Sequence, residues 1–269
     1  MEYTEIPEKD KLKKLAFNLG QRVIDYSDYI GGMAILAQKT FMAIFRGGIK
    51  LSLVIEQAYQ LGVRSLPLTN LVGIFTGMVL ALQFVVGLRR FGLELYTGQV
   101  VGIAIVRELG PVLTALMVAA RGGSGIAAEL GSMTVTEQVL AIEAMGANPI
   151  VKLVIPRVLV TTLVTPILTL IADVLGILGG MVVSVIESGV STSFYLDQVK
   201  RTVEIEDVVS GIGKTFFFGF LIGIISCYQG LKTSRGTEGV GNSTTLSVVI
   251  CSVAVFVSDY FLTKVFLLF

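Results

Sequence analysis

Four long runs of apolar residues dominate this sequence and restrict it to a membrane-spanning fold. A helix needs about 20 mostly apolar residues to cross a bilayer, and regions of about 66–87, 100–120, 154–186 and 208–269 meet that length. The last run is polar around residues 232–243, which splits it into two helices. Only 15% of the residues are charged, against roughly 25% in soluble domains. We therefore predict an all-α integral membrane protein with five transmembrane helices.

The third apolar region carries Pro166 near its middle. We predict one long span there, and two short helices broken at Pro166 are the alternative, because proline removes a backbone donor and kinks or breaks a helix. Two glycine pairs, Gly73 with Gly77 and Gly219 with Gly223, have the spacing that lets membrane helices approach closely. Such pairs support dimerisation only weakly.

Residues 1–65 differ from the transmembrane domain, 66–269, that follows them. Stretches such as 49–56 mix apolar and charged side chains at helical spacing, and no apolar run is long enough to span a bilayer. We predict amphipathic helices that lie at the cytoplasmic membrane surface. A small soluble cap is the alternative.

The distribution of Lys and Arg predicts the orientation of the chain. With the N-terminus inside, fourteen of these residues lie in cytoplasmic segments and five on the opposite side. Positive residues concentrate in cytoplasmic loops, so the sequence predicts a cytoplasmic N-terminus.

The composition argues against several functions. The net charge of +1 offers little to a polyanion, so we expect no nucleic-acid partner. Histidine is absent and Cys227 and Cys251 are far apart, so we expect no metal site. The sequence offers no plausible pair of a nucleophile and a base, so we do not expect an intramembrane enzyme.

The segment Gly211-Ile212-Gly213-Lys214-Thr215 is similar to a phosphate-binding loop but lacks its spacing. That motif needs a glycine five residues before Gly213, where Val208 stands. We therefore expect this chain to bind no nucleotide cofactor and to hydrolyse no ATP.

A short helix is predicted at residues 134–145, in the loop after the second span. Thr134 with Glu137 has the spacing of a capping box, and Gly146 followed by Pro149 is typical of a helix end. Val139, Ile142 and Met145 recur at three-residue spacing and are predicted to share one apolar face. Such a face outside the bilayer fits a groove in a partner protein, and packing between the spans is the alternative.

Charged residues at bilayer depth are costly and usually face a cavity or a partner. Arg107 and Glu108 lie in the second span, where neighbouring side chains diverge by about 100° and are not expected to share one face. Asp207, Gly211 and Lys214 form one stripe on the fourth span, about 10 Å long, with Gly211 leaving room in the middle. This stripe could hold a zwitterionic or anionic lipid headgroup. Internal salt bridges that hold the helices together are the alternative.

One family shares this pattern of motifs. The motifs are Arg107-Glu108-Leu109-Gly110-Pro111-Val112-Leu113-Thr114-Ala115-Leu116, Ala120-Arg121-Gly122-Gly123-Ser124-Gly125, Ala128-Glu129-Leu130-Gly131-Ser132-Met133, Thr136-Glu137-Gln138, Glu143-Ala144-Met145, Asn148-Pro149 and Pro156-Arg157. In this order they resemble the MlaE-type permeases, the membrane subunits of bacterial ABC systems linked to outer-membrane lipid asymmetry, with relatives in chloroplast lipid import. The resemblance begins near residue 40 and is densest over 102–157.

The resemblance implies a homodimeric permease in the bacterial inner membrane, with an N-terminal interfacial elbow and a cytoplasmic coupling loop at about 121–153. It implies an ABC ATPase partner that holds ATP and Mg, an MCE-domain periplasmic ring protein and, in some systems, a STAS-domain protein. The helix at 134–145 would dock into the ATPase. The residues implied for that contact are Glu137, Val139, Ile142, Glu143 and Met145.

Five positions match those associated with the lipid cavity or with activity in the family. They are Tyr96, Arg107, Glu108, Asp207 and Lys214. The resemblance thus implies phospholipid transport driven by a separate ATPase. An ion-coupled secondary transporter that uses Asp173 with the four charged residues of this set is the alternative, although it gives the loop helix no role.

Overall fold

The computed structural model describes residues 8–46, 51–234, 236–266 and 268. Throughout this part of the chain the regular structure is helical, and no strand occurs in it. Five helical segments are long and apolar enough to cross a membrane, and we call them spans one to five: Leu51–Arg89, Glu94–Val135, Ile150–Ser188, Ile205–Leu231 and Gly236–Phe266. The predicted all-α fold with five spans is confirmed.

Eleven α-helices, with short 3-10 and π segments between some of them, form the described structure. Their bounds are α1 (Glu8–Arg46), α2 (Leu51–Leu61), α3 (Leu66–Arg89), α4 (Thr97–Ala104), α5 (Gly110–Val118), α6 (Ser124–Val135), α7 (Gln138–Ala144), α8 (Ile155–Ser188), α9 (Thr192–Thr202), α10 (Ile205–Leu231) and α11 (Gly236–Phe266). Helices α1, α2 and α7 lie toward one end of the bundle, the α7 end, and α9 lies at the other, the α9 end. The amphipathic stretch predicted at 49–56 begins at residues 49 and 50, which lie outside the described residues.

Span two is one helical rod interrupted by two π segments. These segments, Ile105–Leu109 and Ala119–Gly123, separate α4, α5 and α6. At 1.5 Å per residue the rod is roughly 60 Å long, about twice the hydrocarbon thickness of a bilayer. It therefore connects the bilayer interior directly to the loop that carries α7.

Helix α8 lies at the centre of the bundle, and both predicted glycine pairs pack against it. A Cβ at Gly73 would lie 2.7 Å from the Ala172 carbonyl, and one at Gly77 would collide with Gly176. A Cβ at Gly223 would lie 2.9 Å from the Val158 Cα. Both pairs therefore serve packing within the chain. Pro166 lies inside α8, which remains one helix, so the alternative of two short helices is wrong.

The N-terminal helix α1 is attached to the end of span four by an aromatic cluster. Tyr29 accepts a hydrogen bond from the Gln229 amide, and its ring meets the Tyr228 ring edge-on at 5.1 Å. The Lys232 ammonium lies 5.2 Å from the Tyr29 ring centroid, within cation–π range. Burial, with Tyr228 beside it, raises the pKa of Tyr29 to about 12, so this hydroxyl stays protonated at neutral pH.

Candidate functional site

A cavity of about 500 Å³ opens among spans two, four and five, toward the α9 end. Its polar lining includes Arg107 and Glu108 of span two and Lys214 of span four. The lining residues are Ile103, Ala104, Arg107, Glu108, Ile205, Glu206, Val209, Ser210, Lys214, Thr263 and Phe266. The mixture of apolar walls and a few charged groups suits an amphiphilic ligand.

Lys214 forms the most buried polar contacts of the cavity. Its side chain is 1% exposed, and its ammonium lies 2.8 Å from Glu108 Oε1 and 3.4 Å from Asp259 Oδ1. It also donates to Thr263 Oγ1 at 2.7 Å and to the carbonyl oxygen of Arg107 at 3.0 Å. An ammonium has three donors, and Glu108, Thr263 and the Arg107 carbonyl occupy them. Lys214 therefore joins three spans and has no donor left for a ligand.

Arg107 is placed differently, because 44% of its side chain is exposed. Its Nε pairs with the Asp207 carboxylate, which is buried. The other oxygen of Asp207 accepts from the backbone N–H of Glu204 at 2.9 Å and closes a capping box at the start of α10. Asp207 is thus held by two partners, while Arg107 remains available to the cavity.

The predicted stripe on span four is arranged differently from the expectation. Asp207 pairs with Arg107, and Lys214 pairs with Glu108 and Asp259, so the two stripe residues do not face a common ligand. A Cβ at Gly211 would collide with the carbonyl of Val106. The room at Gly211 is therefore filled by the backbone of span two, because a glycine in a membrane helix most often admits a neighbouring helix.

The expectation that Arg107 and Glu108 cannot share one face is wrong, since both line this cavity. They lie on the π segment Ile105–Leu109, whose hydrogen bonds close five residues apart. Such a turn contains more residues than an α-turn, so successive side chains diverge by less. Tyr96 lies apart from them, about half exposed in a 3-10 turn at the start of span two, roughly 16 Å along the helix from Arg107.

Span five supplies residues that the sequence reasoning missed. Asp259 pairs with Lys214, and Thr263, one turn later, donates to Glu108 Oε1 at 3.2 Å. The signal was present, because Asp259 is a carboxylate at membrane depth and carries the same cost as Arg107 or Asp207.

The helix in the loop after span two is shorter than predicted. Helix α7 begins at Gln138, and Thr134 belongs to α6, where its hydroxyl donates to the Leu130 carbonyl at 2.8 Å. The predicted capping box is therefore wrong. Glu137 precedes α7 with φ 59°, in the left-handed region, and its side chain forms no cap. Gly146, with φ 76°, ends the helix as predicted.

The predicted contact residues of α7 point in different directions. Ile142 is buried and Val139 partly buried, and both pack against the apolar core at the α7 end, with Leu130 of α6. Met145 is 73% exposed and Leu140 is 60% exposed. Glu137 and Glu143 are also exposed. The exposed apolar surface of this loop is thus formed by Leu140 and Met145, with Glu143 beside them.

Comparison with known proteins agrees with this architecture. The family model described as Permease MlaE matches residues 54–265. A protein of Rickettsia conorii named "probable ABC transporter permease protein" is 39% identical over 255 residues, 95% of this chain and 98% of its own. The chloroplastic protein trigalactosyldiacylglycerol 1 of Arabidopsis thaliana is 38% identical over 232 residues, 86% of this chain and 66% of its own.

A Haemophilus influenzae protein named "intermembrane phospholipid transport system permease protein MlaE" is 34% identical over 248 residues, 92% of this chain and 95% of its own. The family model covers most of the chain, including all the residues that line the cavity except Phe266. Five spans, a polar cavity within them and this match together identify the chain as a multi-pass membrane protein that belongs to the MlaE family of ABC transporter permeases.

Proposed function

We propose that this permease moves phospholipids between the inner and outer membranes, driven by a separate ATPase subunit. The observation that carries the proposal is the cavity, where Arg107 is exposed among apolar walls at membrane depth. The name of the Haemophilus relative, an intermembrane phospholipid transport permease, supports the same substrate class. The ion-coupled alternative has less support, because Lys214, one member of its relay, has every donor engaged.

The charges around the cavity favour a headgroup that itself carries a positive charge. Arg107 and Lys214 are opposed by four carboxylates within or against the lining: Glu108, Glu206, Asp207 and Asp259. A phosphate would meet Arg107, and an ammonium group would meet the surplus carboxylates. A zwitterionic phospholipid satisfies both, while a headgroup with only negative charge does not.

We propose that ATP and Mg are bound by the partner ATPase and not by this chain. The segment Gly211–Thr215 lies inside α10, whereas a phosphate-binding loop joins a strand to a helix. Gly213 packs near the Phe266 ring and Lys214 is held by acidic residues of other spans. These contacts leave the segment no surface for a nucleotide.

The proposed assembly is a homodimer in a bacterial inner membrane with cytoplasmic N-termini. Its further partners would be an MCE-domain ring protein on the periplasmic side and, in some systems, a STAS-domain protein. The excess of Lys and Arg in the segments at the α7 end supports this orientation. In this orientation α7 would lie on the side where ATP is available.

The route from α7 to the cavity runs along the helical rod of span two. Ile142 packs in one apolar cluster with Ile126 and Leu130 of α6, and α6 continues into the helical rod that carries Arg107 and Glu108. When the ATPase dimer closes, a displacement of α7 would move this rod and change the cavity. Closely packed interiors transmit such displacements.

The exposed surface of α7 provides the test. Met145→Asp or Leu140→Asp should release the ATPase during co-purification, because each puts a carboxylate into an apolar contact at a cost of several kcal/mol. Neither change should unfold the permease, since both side chains are exposed. Phe194→Asp on α9, also exposed and apolar but at the other end of the bundle, is the matched control.

An ATPase that still co-purifies with both α7 variants would show that this surface is not the contact. Saturable ATP binding by the permease alone would independently contradict the assignment of ATP to the partner.

A further inference from the structure

A second cavity, of about 450 Å³, lies at the α7 end and shares no lining residue with the first. It lies between α2 and the last part of span two, which consists of the π segment Ala119–Gly123 and helix α6. Its polar lining consists of Gln57, Gln60, Arg64, Arg121 and Glu129. Nothing in the proposed lipid path uses these residues.

The two arginines of this cavity have no acidic partner. Arg121 donates through Nη1 to the Gln60 carbonyl at 3.1 Å and to Ser65 Oγ at 2.8 Å. Arg64 is exposed and lies over the Tyr59 ring at 5.6 Å. Within the described part of the chain, no carboxylate lies within 4.0 Å of either guanidinium.

The one acid of the lining is already neutralised. The Glu129 carboxylate lies 2.9 Å from Nη2 of Arg157, a buried residue on α8. The Glu129 and Arg157 pair contributes no net charge, and the two arginines give the cavity an excess of positive charge.

A buried amide adds an unused hydrogen-bonding group. Gln57 is only 8% exposed and lines this cavity. Among the described residues its side chain has no hydrogen-bond partner, and its polar atoms keep access to solvent. Because Gln57 lines the cavity, a ligand oxygen there could accept from its amide.

We propose that this cavity binds a phosphate group through Arg64, Arg121 and Gln57. Guanidinium forks match phosphate geometry, and an amide donor can complete the coordination. The group belongs either to an anionic phospholipid headgroup of the adjoining leaflet or to a soluble phosphate. The lipid source fits the position, because Arg64 lies on the turn between α2 and the long apolar helix α3. The inference does not depend on transport, since it concerns binding to the permease alone.

Gly125 provides a reporter position for the test. It lines the cavity, and a Cβ there would meet no atom within 4 Å. The chain's own thiols, Cys227 and Cys251, are buried and should react slowly. The experiment measures the rate at which N-ethylmaleimide modifies a Gly125→Cys permease in phosphatidylcholine nanodiscs. Phosphatidylglycerol is added in one arm and inorganic phosphate in the other.

Occupancy of the cavity should slow the modification of Gly125→Cys. Arg64→Gln should raise the concentration needed for half-protection by about tenfold or more, since hydrogen bonds to charged groups contribute that much. Arg121→Lys, which keeps the charge but loses the fork, should have a smaller effect in the same direction. Arg90→Gln, an exposed arginine at the α9 end, is the matched control and should change nothing.

Protection in the phosphatidylglycerol arm identifies the lipid headgroup as the source, and protection only by inorganic phosphate identifies a soluble phosphate. Protection that is absent in both arms, or that is the same in Arg64→Gln and Arg90→Gln, would overturn the proposal.

Discussion

Replacing Gly77 by valine should prevent the permease from folding stably. Gly77 of α3 packs directly on the backbone of α8 at Gly176, and even a Cβ there would collide with a carbonyl that cannot rotate away. Overpacking in a filled interior usually costs about 1–3 kcal/mol, and a clash with backbone should reach or exceed the upper end. We expect a large loss of monodisperse protein in size-exclusion chromatography and a lower melting temperature in detergent.

Gly87→Val is the matched control, because Gly87 lies on the same helix and a Cβ there meets no atom within 4 Å. The two variants change helix propensity and side-chain volume by the same amount, so they differ only in the packing of the new side chain against α8. Equal melting temperatures for Gly77→Val and Gly87→Val would contradict the described approach of α3 to α8.

Lys214→Ala should destabilise the folded permease by about 3 kcal/mol. The change leaves Glu108 and Asp259 without their cation, and removing one partner of a buried ion pair typically costs about 3–5 kcal/mol. We expect the lower end of this range because the Glu108 side chain is partly exposed in the cavity, where water can stabilise its unpaired charge. Denaturation followed by circular dichroism measures the loss, and Lys200→Ala on the exposed face of α9 is the control.

A second variant tests whether Lys214 holds the spans together or serves the bound lipid. The triple change Glu108→Gln, Asp259→Asn and Lys214→Gln removes the cation together with both acids that it neutralises, so it should recover more than half of the lost stability. Recovery would show that Lys214 acts by holding spans two, four and five together. A Lys214→Ala protein as stable as wild type would contradict the contacts described for its ammonium.

The sequence was sufficient to predict the spans, because a long apolar run in a membrane protein has few alternatives. It also placed the end of α7 correctly at Gly146, where the left-handed backbone conformation favours glycine. The predicted capping box was wrong because Thr134 is a residue type that favours the N-cap position but here lies inside α6. A threonine inside a helix can donate its hydroxyl to a carbonyl of the preceding turn instead.

The pairing of charges could not be predicted from one sequence. The stripe of Asp207 and Lys214 is a local pattern, whereas the partners of both residues come from other spans. The π segment that turns Arg107 and Glu108 toward one cavity has no clear signal in the sequence either. The ion pairs of Arg107 and Glu108 join residues about 100 positions apart in the chain.

The structure also divides the predicted lipid residues by role. Lys214 and Asp207 are buried and engaged by protein groups, and we expect them to position Glu108 and Arg107. Arg107 is the exposed cation of the cavity, and we expect it to contact the phosphate of the headgroup. Tyr96 lies nearer the α9 end and would meet a lipid only outside this cavity.

The most direct test of the account is phospholipid crosslinking inside the cavity. A photoreactive residue at Ser210, which lines the cavity, should crosslink zwitterionic phospholipid in the ATPase-bound permease. Arg107→Gln should reduce that yield by about tenfold, the effect of losing a charged hydrogen bond. A photoreactive residue placed at Val253, which is exposed on the apolar surface of α11, contacts only the surrounding lipid. Its crosslinking yield should be the same with and without Arg107→Gln. A yield at Ser210 that does not depend on Arg107 would contradict the assignment of this cavity to phospholipid.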